Sequence, residues 1–176
     1  ADIPPGSSVQ VIWTGTHRED VEAGEKVGQI HNFSVNAHVG TEGVFLSDGS
    51  NWYPQPVDEQ GVAHLRKMSI TIDPIDGWTL VASGDPQCAG EMTSACWSYL
   101  TPRPVDGIAV VGNQHTISGR LVKTGSGEVE VTVHLSPENS GKSDYYLDAA
   151  SDYLKLYTPL IGAYPYRRFA IVENFF

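Results

Sequence analysis

A mainly β domain, followed by one helix and one further strand, is the architecture this chain predicts. Three observations carry it. The 176 residues include 18 Gly and 11 Pro, which break helices and favour strands and turns. From Glu128 to Leu135, after a glycine-bearing turn, polar and apolar residues alternate strictly. From Ser143 to Ile161 the apolar spacing switches to three and four. The order reads as an antiparallel β-sandwich domain over residues 1–137, then a connecting helix and the start of a second domain over 138–176.

Each element has its own reason. Ala1 to Gly6 is a loose leader, and Val9 to Trp13 opens an extended segment. Residues 18–27 are charged and lack a firm period, so they form a loop or a short helix. Ile30 to Val39 alternates, with Phe33, Val35, Ala37 and Val39 on one face and Asn32, Ser34, Asn36 and His38 on the other. Gly43 to Leu46 is a short strand, and Ser47-Asp48-Gly49-Ser50 is a turn by composition. Pro54 and Pro56 forbid a central strand after Trp52-Tyr53. Lys67 to Asp73 alternates with Met68, Ile70 and Ile72 on one face, then a Pro-Gly turn leads into Trp78 to Ser83.

Ile108 to Val111 is a short buried-type run. Ile117 to Lys123 pairs with Glu128 to Leu135 as a hairpin across residues 124–127. Val129, Val131, Val133 and Leu135 face inward, while Glu128, Glu130, Thr132 and His134 face water. The helix that follows has Leu147, Ala150, Leu154, Tyr157 and Ile161 on its apolar face. Ser140 and Ser143 are its candidate N-caps, Pro159 shortens or kinks it, and Gly162 stops it. An apolar strand then runs to Phe176, as an element cut midway, so Phe169 to Phe176 is expected to lack its natural sheet partners and to be either frayed or paired with a borrowed one.

Charge and motif content narrow the function classes. The net charge of −10 repels phosphate, which argues against nucleic acid as a partner. No apolar run approaches the roughly 18 residues of a membrane span. His17, His31, His38, His64, His115 and His134 fall in no H-E-x-x-H motif and read as surface or turn residues. His64 and His115, nearest to a pocket-like context, stand alone. No serine sits in a G-x-S-x-G elbow, and no phosphate-binding glycine loop is present. Trp13, Trp52, Trp78 and Trp97 could stack on sugars, although sandwich cores use Trp in the same way. These residues assign no catalytic, cofactor or metal site within the chain.

One family likeness carries further. The run YLKLYTPLIGAYPYRRFAIVENFF, Tyr153 to Phe176, resembles the junction after the first domain of aminopeptidase-N-like zinc metallopeptidases, the gluzincin group. EGVFLSDGSNWYPQ, Glu42 to Gln55, is similar to a strand-turn of that family. So is SITIDPIDGWTLVASG, within Met68 to Gly84. The resemblance implies a saddle-like amino-terminal β-domain that caps the active-site cleft and helps choose the peptide substrate. It implies that zinc, held by H-E-x-x-H and a downstream Glu, belongs to a catalytic domain beyond Phe176. Glu173-Asn174 resembles the family's amine-binding strand but stands one element too early, and that role is not transferred to it. Where many members offer a Gln or Glu to the pocket, this chain has Phe45 to Gly49. Ser47, Asp48, Trp52 and Tyr53 are therefore the expected substrate-side contacts. The alternative is a stand-alone secreted β-sandwich module for binding, adhesion or structure.

Cys88 and Cys96, in CAGEMTSAC, fit no zinc-ligand spacing. A local hairpin through Gly90 could bridge them, the other possibility being two free thiols. A bridge across about nine residues stabilises by roughly 2–3 kcal/mol in the chain-entropy model, and it favours an extracellular or periplasmic location. Mass spectrometry is expected to show a gain of two hydrogens on reduction. A protein already at the heavier mass beforehand has no bridge.

Overall fold

The structure, a computed structural model, describes residues 10–12, 14–17, 26–27, 30–31 and 36–175. Its strands are β1 (Lys26–Val27), β2 (Ile30–His31), β3 (Ala37–Val39), β4 (Val44–Leu46), β5 (Ser69–Thr71) and β6 (Thr79–Ala82). They continue with β7 (Asp85–Pro86), β8 (Ser98–Leu100), β9 (Val110–Asn113), β10 (Thr116–Thr124) and β11 (Gly127–Leu135). The single α-helix, α1 (Ser143–Ile161), precedes β12 (Arg168–Val172), and short 3-10 turns occupy Asp48–Ser50 and Pro137–Lys142. The chain is mainly β, as its composition and alternation predict. The strand predicted over Ile30 to Val39 is seen only at its two ends, because residues 32–35 lie outside the described residues, as do most of the leader and residues 18–25.

Two antiparallel sheets make the sandwich. One has the order β3-β4-β9-β6 and the other β5-β8-β7. Val44, Leu46, Leu80, Ala82 and Val110 on the first sheet bury against Tyr99 of the second. Tyr99 is 1% exposed, and its hydroxyl donates to the Leu80 carbonyl at 2.6 Å, so the largest core side chain also stitches the sheets together. Met68, Ile70 and Ile72 pack on this core, as their alternation predicts.

A second core lies behind the hairpin. β10 and β11 pair antiparallel from Thr116↔Leu135 to Thr124↔Gly127. Val129, Val131, Val133 and Leu135 point at Leu147, Ala150 and Leu154 of α1. Arg120 pairs with Asp148 at 2.5 Å across this contact; being exposed, the pair adds little. Tyr157 and Ile161, predicted on the apolar face, are instead 45% and 82% exposed.

The helix termini differ from expectation in detail. Ser140 and Ser143 direct their hydroxyls to the carbonyls of Pro137 and Ser140, both at 2.7 Å, within the 3-10 turn. Neither caps α1, because the tight turn offers nearer acceptors behind each serine. Pro159 sits inside the last turn without ending it, and Gly162, at φ 111°, closes the helix with its N–H on the Thr158 carbonyl.

Three further expectations are revised. Thr132 and His134, expected to be wet, are 1% and 4% exposed, with Arg168 and His115 lying against His134. On β3, Val39 is 46% exposed and His38 is buried, since the Phe175 ring covers His38 at 5.1 Å. Finally, β12 does have a partner. It pairs parallel with β11 from Glu130↔Arg168 to His134↔Val172, and α1 supplies the crossover that a parallel pair requires. The outer edge of β12 has no strand partner among the described residues.

Leu147, 4% exposed, packs in the core shared by helix and hairpin. Leu147→Ala is expected to destabilise the protein by about 2–5 kcal/mol, read as a lower urea midpoint at unchanged slope. A loss below about 0.5 kcal/mol would mean that α1 is not docked in this way.

Candidate functional site

Two side chains with unpartnered buried nitrogens, His134 and Arg168, come together where the sandwich meets the C-terminal sheet. The Tyr164-Pro165-Tyr166 corner delivers Arg168 to the start of β12, opposite Glu130 of β11. From there the guanidinium reaches back over the Tyr99 ring, 5.5 Å from its centroid, a cation–π contact across the two cores. Its Nη2 stands 3.5 Å from His134 Nε2, which also lies 3.2 Å from Thr132 Oγ1.

The histidine's protonation follows from its neighbours. Burial first, then the Arg168 charge and His115, hold the His134 pKa down to about 3. The ring is therefore neutral at pH 7. Arginine can only donate, so Nε2 accepts and the proton resides on Nδ1. That buried Nδ1, like the buried Arg168 Nε, has no hydrogen-bond partner.

Two hollows flank Arg168. One, of about 380 Å³, is walled by the Cys88–Cys96 loop, Tyr99, Glu91, Glu130 and His134. The other, of about 340 Å³, is walled by Asp48, Asp106, Tyr164 and Tyr166. Asp85 and Arg168 line both. The disulfide between Cys88 and Cys96 is formed, and it closes the loop that makes the first wall. A bridge is compatible with an oxidising compartment.

The four expected substrate-side residues do not converge. Asp48 reaches the second hollow, with its Oδ1 accepting from the Gly49 N–H at 3.0 Å. Ser47 is half-buried, and its carbonyl accepts from Ser50 Oγ at 2.8 Å. Trp52 and Tyr53 line a separate, more open hollow with His17 and Gln55. The Trp52 indole donates to the Ile108 carbonyl, and the Tyr53 hydroxyl accepts from the Ile108 N–H, both at 3.1 Å. These two rings brace a loop of the sandwich.

The other candidate groups have structural partners. His64, exposed, sits 2.7 Å from Asp58, whose pKa is lowered chiefly by the Val62 N–H. His115 donates from Nε2 to the Glu173 carbonyl and sits 6.2 Å from His134, so neither histidine stands alone. Burial raises the Glu173 pKa, but bonds from the Ser136 N–H and Asn139 outweigh it and leave the carboxyl below its ordinary value. Among the described residues, no three His, Cys, Asp or Glu side chains converge to hold a metal ion. No helix among them is long and apolar enough to cross a membrane.

Sequence reasoning placed His134 on a wet face and gave Arg168 no role. No local signal marks either, because both depend on β12 docking beside β11. No family model and no curated protein matches the chain.

The buried neutral His134 gives stability a pH signature. Its folded pKa lies below its unfolded value near 6.5, so the unfolded chain binds the extra proton between them. Stability from this group is complete above pH ~6.5 and falls as pH drops toward about 3. Urea midpoints should decline from pH ~6.5 to ~5, and His134→Gln should flatten that slope, leaving the smaller part due to His115. An unchanged slope would place His134 in solvent.

Proposed function

We propose that the chain is the non-catalytic amino-terminal β-domain of a zinc-dependent metallopeptidase of the aminopeptidase-N type, located outside the cytoplasm. In this reading it caps the catalytic cleft and helps select the peptide. One observation carries the proposal. The β11–α1–β12 unit leaves a parallel strand with an unpartnered outer edge among the described residues, within the run that resembles the family junction. A parallel strand reached through a helical crossover is the unit from which α/β sheets are extended, and such sheets are usually covered on both faces. A following domain that adds strands to β12 would satisfy its edge. The Cys88–Cys96 bridge is compatible with export.

The domain's contribution would be binding, with zinc and the bond-breaking groups supplied by the catalytic domain. Asp48, on an exposed 3-10 turn beside Asp106 and Asp85, offers an acidic wall that would favour the ammonium end of a peptide. Trp52 and Tyr53 would act indirectly, by holding the loop against Ile108.

The test uses the full gene product that contains this chain. It is expected to bind zinc stoichiometrically and to cleave aminoacyl-nitroanilides in a chelator-sensitive way. Asp48→Ala should raise KM by up to about tenfold while kcat stays within about twofold, the pattern of lost uniform binding. A full-length product without zinc and without cleavage overturns the assignment.

A further inference from the structure

The hollow of about 380 Å³ beside the disulfide loop holds charges of both signs that the protein leaves unpaired. None of the ion pairs among the described residues involves Arg168, Asp85, Glu91 or Glu130. The buried Arg168 Nε has no acceptor, and neither has the buried Nδ1 of His134 on the same wall. A donor left buried without an acceptor costs about 1–3 kcal/mol, and more for a charged group. Both nitrogens are closed to solvent, so a ligand in the hollow would engage the outer nitrogens of the Arg168 guanidinium.

The sign pattern limits what the ligand can be. A simple anion would find Arg167 and Arg168 but would meet Asp85, Glu91 and Glu130 on the same walls. A simple cation would find those carboxylates but would leave the guanidinium unsatisfied. A small molecule with a carboxylate at one end and an ammonium at the other satisfies both. The remaining walls include Leu80, Met92, Ile117 and Tyr99, an apolar lining suited to a short aliphatic side chain. The volume falls in the range of small-molecule pockets. The disulfide holds the Glu91 wall in place, which lowers the ordering cost of binding.

We infer that this hollow binds a free α-amino acid as its zwitterion, with the carboxylate on Arg168 and the ammonium held by Glu91 and Glu130. Asp85 completes the acidic side. The site belongs to this chain's own residues and stands whether or not a peptidase domain follows.

Calorimetry and amide chemical shifts on the purified protein test it, with L-leucine as ligand and acetate and butylamine as single-charge controls. L-leucine is expected to bind with a dissociation constant of about 1 mM or tighter, and each control about tenfold or more weakly. Arg168→Gln is expected to weaken L-leucine binding at least about tenfold. Arg168 also packs on Tyr99, so the Glu91→Gln/Glu130→Gln double variant provides a test on the more accessible wall. It should lose affinity to a similar degree while keeping its unfolding temperature. Absence of L-leucine binding at about 10 mM overturns the inference. So does acetate binding as tightly as L-leucine, or a double carboxamide variant that binds as the parent does.

Discussion

The burial of β11 on both faces is the constraint from which the rest of this structure follows. A two-stranded hairpin is marginal in water by itself. Here its valines are closed by α1 on one face, and Thr132 and His134 are buried on the other. The strand therefore carries buried side chains on both faces. It also sets the register of β12, whose parallel pairing fixes where Arg168 begins and where Glu173 ends.

The far end of that pairing acts as a clasp. The Glu173 N–H donates to the His134 carbonyl at 2.8 Å, and the Glu173 carbonyl accepts from His115 at 3.1 Å. The Glu173 carboxylate accepts from the Ser136 N–H, and the Phe175 ring lies over His38. Gly43 permits that approach, since a Cβ there would stand 2.2 Å from the Phe175 ring. One short segment thus touches the first sheet, the hairpin and the turn before α1. The 138–176 segment consequently rests on the hairpin through the β11–β12 ladder and through a core it shares with β10 and β11.

The electrostatics at the near end have an unusual balance. A guanidinium lies beside a neutral imidazole and an aromatic face instead of a carboxylate. The carboxylates of the region stand on surrounding walls. Such an arrangement keeps local polar capacity unsatisfied inside a chain that is otherwise strongly acidic. That capacity, and the edge of β12 that has no strand partner among the described residues, are the two features that point outward from the fold toward ligands and neighbours.

Local sequence determined the elements that need only their own residues. The hairpin from Ile117 to Leu135, the helix from Ser143 to Ile161 and the Met68-Ile70-Ile72 face were legible because their periods are set by backbone geometry. The disulfide was legible as one of two alternatives from an eight-residue separation around Gly90. The candidate site was much less legible. Asp48 is near Trp52 and Tyr53 in sequence yet lines a different hollow, while Ser47 lines neither, because a 3-10 turn and the Ile108 anchor send them apart. Tertiary structure alone decided that Thr132 and His134 are dry, that β12 lies parallel to β11, and that Arg168 meets Tyr99. Alternation reports that a strand has two faces; what covers the second face includes Arg168, 34 residues from His134, through a contact that no local period encodes.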